Sequence, residues 1–469
     1  MKKYILGMIA AAMLSGTAMA QEAEKKVLSQ YYRNALTNMM VYHPEDEFGY
    51  DVYLIFNELP PQERYDKHDI NLRVIDNSKI SGVAGSKNGG LNRQTYGASM
   101  VLTDKEKQAN ADALLDLLNR AEVGKRMVAK WFNLTGTTLQ DAHFGTQIIE
   151  ERSGYNASMQ EAEMARYTIE GAAALQDVST ELMNHSFVLV SDMTYITAED
   201  RGKTAKTTMQ IFGAVLDAFG GGNAGQRMAE DVEDIADSFT GFKVFTHSYL
   251  FQLVWNEDIA NHFYQYYYTD TPNPEKIRAF LEDQDSYKLI YLGTESAKYE
   301  KTKLVSKYNR EDLLQMITAR SIDNNIAKLQ KRFEAFRVKA PVTQVEYDKN
   351  GRPTGYRAQI GTKEGVEDNM KFEVLECRMV RGKIEYRRVA VIKPVRNKIW
   401  DNRFNAMLEN DSNGDQSGTL FRIDAADKAK ADRCRGGAHG RSTSVGSCRS
   451  SSSWRSRERP MMASIRRAT

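Results

Sequence analysis

Two stretches constrain this fold more than any others: "SFVLVSDMTYIT" (186–197) and "FKVFTHSYLFQLVW" (242–255). The first is rich in β-branched residues. The second alternates, with Phe245, Tyr249, Phe251, Leu253 and Trp255 largely on one face, the period of a strand. Between them lie two helical runs, roughly 198–219 and 223–239, split by Gly220-Gly221-Gly222. Strand, helical hairpin, strand is an arrangement that leaves the two strands free to lie side by side in one sheet.

The rest of the chain before Lys339 reads mainly as helix. "AEKKVLSQYYRNALTNMMVY" (23–42) repeats apolar residues at helical spacing through Val27, Tyr31, Ala35, Leu36, Met39 and Met40. "HPEDEFGYDVYLIFNELPPQERY" predicts a second helix ending at Pro60-Pro61, and the Gly, Ser and Asn content between Asp69 and Ala98 predicts a long surface loop. Thr103 and Glu106 have the spacing of a capping box, opening a helix through Leu118; Ser158 and Glu161 repeat it before a run to Asn184. Helices resume at Glu257, and a long one spans 309–336.

After Lys339 the pattern changes to strands. "APVTQVEYDKNGRPTGYRAQIG" predicts a hairpin turning at Asp348–Gly351, and "KFEVLECRMVRGKIEYRRVAVIKPV" a second turning near Arg381-Gly382. "KIWDNRFNAML" predicts a further short strand. The fold class expected is therefore α+β: a mainly helical body with a few antiparallel strands (21–338, with a possible subdivision near 155), then a small all-β, barrel-like module (339–423).

The first twenty residues, "MKKYILGMIAAAMLSGTAMA", have two lysines, an apolar run from Tyr4 to Leu14 and small residues ending Ala18-Met19-Ala20. That is the layout of a secretory signal cleaved after Ala20, too short to cross a bilayer core that needs about 20 apolar residues. A periplasmic or secreted location is expected, with no transmembrane segment in the mature chain. The fold does not rest on disulfides, since only three Cys are present and none precedes Cys377, which reads as a buried strand thiol.

Net charge is +2 overall, but Arg433–Thr469 holds nine Arg against one acid, so this stretch is +8 and everything before it −6. A basic tail on an acidic body can bind polyanions by charge alone. Its Ser, Arg and Gly bias, without Lys or hydrophobic periodicity, is instead what an out-of-frame reading of a GC-rich gene gives. The expectation is a disordered tail over 424–469, with a frameshift or chimeric end after Phe421 and no role in nucleic-acid binding.

Within the β module, "IGTKEGVEDNMKFEVLE" and "RRVAVIKPVRNKIWDNRF" carry Gly361, Gly365 and Val366 before a Phe372-Glu373-Val374 strand, then Ile399-Trp400-Asp401. These features resemble the small C-terminal β module of flagellar assembly protein T and of uncharacterised exported bacterial proteins. The resemblance covers about 339–422 and implies a non-catalytic module used in envelope assembly or attachment.

Local motifs for chemistry fail on their own terms. "DAFGGGNAGQR" follows Gly225 with Gln226-Arg227 where a phosphate loop needs Lys then Ser or Thr, and it follows a helix. Asp411, Asn413 and Asp415 alternate as in a calcium loop, but Gln416 stands where Gly is needed and Arg422 where the distal acid is needed. The seven histidines do not cluster; His43 has neighbouring acids but no second imidazole, and His247 reads as structural. No cofactor or metal is expected, and no catalytic residue is assigned. "NHFYQYYYTD" (261–270) places Tyr264, Tyr266, Tyr267 and Tyr268 together, either as a binding platform of amphipathic rings or as a helix end buried in the core. The function expected is an exported, non-enzymatic envelope protein with a binding or assembly role, its partner an envelope protein or glycan. The alternatives are a periplasmic hydrolase whose site is assembled from residues distant in sequence, or a glycan-binding protein presenting the four tyrosines.

Overall fold

The computed structural model describes residues 34–86, 89–93, 102–153, 179–197, 240–303, 310–351, 353–380, 383–406, 418–424 and 463–467. The expected leader over 1–20, the capping box read at Ser158, the two helical runs read over 198–239, the segment Asp411–Asp415 and most of the basic tail lie outside these residues.

The body is built on a six-stranded sheet with helices on both faces. β1 (Ala35–Tyr42) lies next to one edge, parallel to the short edge strands β2 (Asp66–Lys67) and β3 (Val74–Asp76) and, on its other side, to β4 (Ser186–Thr197). β4 pairs antiparallel with β5 (Thr240–Leu253), as the alternation predicts, and β5 with β6 (Leu289–Lys303). The helical reading of 23–42 is thus corrected from Ala35 onward. β1 buries Ala35, Met39 and Val41 in one core and Leu36 and Met40 in the other. A strand covered on both faces carries an almost continuous apolar run, which periodicity cannot separate from a helix.

One face is covered by α2 (Asp104–Arg120), α3 (Val123–Trp131), the short α4 (Gln147–Ser153) and α5 (Glu257–His262), and by α6 (Pro274–Glu282). Leu114, Leu118, Met127, Trp131 and Phe280 pack there against Val188, Val190 and Phe251. Residues on both sides of position 155 share this core. The other face is covered by α1 (Gly49–Glu58) and the long α7 (Arg310–Arg332), through Val52, Ile55, Phe56, Ile317, Ile322 and Leu329. The body is therefore a sheet between two helical layers rather than a mainly helical unit. The capping box at α2 forms as read: Thr103 Oγ1 accepts from the Glu106 amide at 3.3 Å and Glu106 Oε2 from the Thr103 amide at 2.8 Å.

The β module is a closed six-stranded antiparallel barrel in the order β10-β11-β8-β7-β12-β9. Its strands are β7 (Ala340–Tyr347), β8 (Pro353–Ala358), β9 (Phe372–Val380), β10 (Lys383–Pro394), β11 (Thr419–Ile423) and β12 (Ala463–Arg467). Tyr356, Phe372, Val374, Ile392, Phe421 and Ile465 fill it. Two expectations change here. The strand read in "KIWDNRFNAML" is a loop over its described residues, 398–406: the Trp400 carbonyl accepts from the Thr362 amide at 3.0 Å and the Trp400 amide bonds the Thr419 hydroxyl at 3.0 Å, so these groups tie loops together instead of forming a ladder. The second concerns the tail. Disorder throughout 424–469 does not hold at Ala463–Arg467, which pair with both β7 and β9 and bury Ile465 to 1% exposure.

The barrel sits against α7. Buried Arg320 donates from Nε and Nη2 to the Phe404 carbonyl at 3.0 and 2.7 Å. Among the described residues no helix is long and apolar enough to cross a membrane.

Candidate functional site

Strand register aligns a polar row across the body sheet. Asp192 on β4 is opposite His247 on β5, which is opposite Ser296 on β6; His43, one residue past β1, completes the row. By alternation these residues share the face that carries Val41, Val190 and Tyr249. His43 Nε2 lies 2.7 Å from Asp192 Oδ1 and its Nδ1 lies 3.2 Å from Glu45 Oε1. Arg93 grips Asp46 with both terminal nitrogens, at 2.9 and 2.6 Å, donates to the Met193 carbonyl at 2.9 Å, and has Nε 3.8 Å from Asp192. His247 Nδ1 meets Ser296 Oγ at 2.7 Å, while its buried Nε2 has no hydrogen-bond partner among the described residues. The turn that carries His43 and Asp46 closes through Gly49, where any Cβ would collide with the His43 carbonyl.

Electrostatics follow from this geometry. Burial alone would raise the Asp192 carboxyl, but the charge and hydrogen bond of His43, with Arg93 beside them, hold it near 2. Burial lowers the affinity of His43 for a proton, yet Asp192 outweighs it and the net shift is upward. For His247 burial wins, against the opposing Asp192 charge, and the imidazole is pushed down to about 4. His43 therefore holds its proton more tightly than a free imidazole, with a carboxylate at each nitrogen, whereas His247 stays neutral near pH 7.

A cavity of about 250 Å³ opens beside this row, lined by His43, Glu45, Asp46, Phe48, Val52 and Tyr195. Next to it α1 turns aromatic side chains outward. Tyr50 is 63% and Leu54 42% exposed, Tyr50 stacks on Tyr53 at 6.2 Å, and Tyr42 lies 5.5 Å from Tyr53.

A second cleft, of about 140 Å³, lies where the barrel meets the body. Asn38 of β1, Pro61 and Gln62 after α1, His68 after β2, Asp323 of α7, and Lys363 and Phe404 of the barrel line it. Asp323 is 6% exposed, and burial raises its carboxyl to about 6 despite the Lys363 charge and a 2.9 Å hydrogen bond from Gln62. Asn38 Oδ1 is buried without a hydrogen-bond partner among the described residues. A carboxyl that titrates near neutrality in a cleft between two units can donate or accept a proton at working pH.

The four tyrosines singled out in the sequence do not form one exposed face. Tyr264 bonds Ser179 at 2.9 Å and meets Phe132 edge-on at 5.7 Å; Tyr267 is 8% exposed and donates to Asp283 at 3.1 Å; Tyr268 stacks on Phe144 at 6.2 Å. Tyr266 alone of the four points outward, 52% exposed, beside the His262 ring. Core burial is the reading that these positions support. The exposed rings of α1 were missed, although "GYDVYLIFNE" carries a readable sign. Val52, Ile55 and Phe56 already supply a buried face, so Tyr50, Tyr53 and Leu54 are apolar residues in excess of what one face can bury. The His43–Asp192–His247 row joins the residue after β1 to residues of β4 and β5, distant in sequence, and no local spacing announces it.

Among the described residues no group of three or more His, Cys, Asp or Glu is arranged to hold a metal ion. Compared with known protein families and with curated proteins, the chain matches none.

Proposed function

We propose that this chain is an exported protein of the cell envelope that binds a macromolecular partner, an envelope protein or a glycan, in an assembly role. The observation that carries the reading is the outward face of α1, exposed Tyr50 and Leu54 flanking the half-buried Tyr53, beside a cavity walled by Glu45 and Asp46. Exposed apolar patches rimmed by polar groups are characteristic of interaction sites, and tyrosine brings a rigid apolar face with a polar tip. The first twenty residues supply the expectation of export. The buried histidine–carboxylate pair is engaged in holding the turn after β1 against β4, since both ring nitrogens of His43 already meet carboxylates.

The test is fractionation of source cells expressing the full chain and a Tyr50→Ser, Leu54→Ser variant. Retention of the unaltered chain with the envelope fraction, and release of the folded variant to the soluble fraction, is the expected result. Equal retention of both would count against the α1 face as the binding surface.

A hydrolytic role is favoured by one observation, the Asp323 carboxyl held near 6 in the junction cleft. Turnover of chromogenic ester, glycoside or peptide substrates that is lost in Asp323→Asn would support it. Equal rates in both proteins would remove it.

A further inference from the structure

The barrel closes on a strand that it holds by little. β12 is five residues long, lies between β7 and β9, and follows β11 only after the long stretch 424–462. Its pairing with β9 runs from Ala463↔Glu376 to Arg467↔Phe372, but against β7, eight residues long, it pairs among the described residues at Ala340 and Pro341. Extending β12 towards lower residue numbers would carry the ladder past Val342 on β7 and past Cys377 on β9. In this chain that extension meets Pro460, which has no amide hydrogen to donate. Among the described residues the slot is therefore longer than the strand in it.

Side chains define what the slot selects. Ile465 enters the barrel core beside Val374 and Phe372. Arg466, next along the strand and so on the opposite face, reaches Glu373 at 3.1 Å and Glu334 at 3.2 Å; Glu373, 7% exposed, also takes Arg388 at 3.1 Å. The recognition unit is an apolar residue pointing in, followed by a basic residue facing two carboxylates.

We propose that the slot between β7 and β9 is a strand-acceptor site that takes an extended segment of a protein partner by β-augmentation. That segment runs antiparallel to both neighbours, carries an apolar residue followed by Arg or Lys, and is longer than β12 on its N-terminal side. Residues 463–467 occupy the slot in the isolated chain and compete with the partner. Backbone pairing along the unused length of β7 and β9 gives the incoming strand its advantage, and an edge with unused ladder positions is a template for such pairing. The proposal deepens the assembly reading and rests on it only for the origin of the partner; exchange at the slot is tested without one.

The probe is a fluorescent peptide, Ala-Val-Thr-Ala-Ser-Ile-Arg-Arg, added to the full chain and to an Ile465→Asp, Arg466→Glu variant that disables the resident strand. Removal of a tethered competitor should tighten binding about tenfold or more, and the same peptide with Asp for Ile should bind neither protein. A variant that keeps its circular dichroism and cooperative melt yet binds no tighter than the unaltered chain overturns the proposal. Should the variant lose its fold, hydrogen exchange on the unaltered chain decides. β12 amides should exchange about a hundredfold faster than those of the β8–β11 ladder, with protection on adding the peptide; equal exchange rates overturn the proposal. Peptide exchange without envelope retention would leave the slot standing and fault the assembly reading; retention without exchange would do the reverse.

Discussion

At the scale of single residues, two buried titratable groups, His43 and Asp323, tie stability to pH. His43 binds its proton more tightly in the fold than in the unfolded chain, so its contribution to stability is complete below about pH 6.5 and is lost as pH rises through its raised value. Urea unfolding from pH 6 to 9 should show this decline in the unaltered chain. Asp192→Asn should abolish the decline and cost about 3–5 kcal/mol, the loss expected when one partner of a buried pair is removed. Asp323 has the opposite chemistry but the same direction: a carboxyl raised from 3.8 to about 6 is favourable to folding below pH 3.8, and that benefit is lost as pH rises through 6. Asp323→Asn should therefore stabilise the protein at pH 8, by up to ~3 kcal/mol, and change little at pH 4. Thermal melts at the two pH values check it; a destabilised variant at pH 8 would mean that the ionised carboxylate has a partner. A group kept at such a cost is a functional candidate. None of this was legible in the sequence, because His43, Asp192 and His247 become neighbours only through strand register, and Asp323 meets Gln62 only when α7 packs on the chain after α1.

At the scale of elements, local signals were read well where the cause is local. The α2 capping box was visible as Thr103 and Glu106 because both hydrogen bonds lie within one turn. Thr103→Ala should cost about 1 kcal/mol in a denaturant titration, and a change near zero would mean that the helix start is fixed by packing instead. β5 was legible from its alternation. β1 was not, because burial on both faces erased the period. The pentapeptide of β12 was also missed: one apolar residue among small and basic ones carries no strand signal, and its strand character comes from the two edges that flank it.

At the scale of the whole molecule, the α+β character and the separate barrel were readable from the change of period at Lys339, while the sheet topology was not. Parallel pairing of β1 with β4 joins segments far apart in the chain. The seam between body and barrel was equally hidden. Arg320 on α7 fastens the Phe404 carbonyl there with two hydrogen bonds. Arg320→Ala should cost about 2–3 kcal/mol and split one calorimetric unfolding transition into two. A single unshifted transition would show that the barrel is coupled to the body by other contacts.

The claim that organises these scales is that the chain meets its partner outside the cytoplasm through the outward face of α1. The most direct measurement places a photo-crosslinking amino acid at Tyr50 in the full chain within source cells, with Glu275, exposed on α6, as the control position. A discrete crosslinked product from position 50, absent from position 275 and found in the envelope fraction, is the expected result. A chain retained in the cytosol, or one that crosslinks no differently at the two positions, would contradict it.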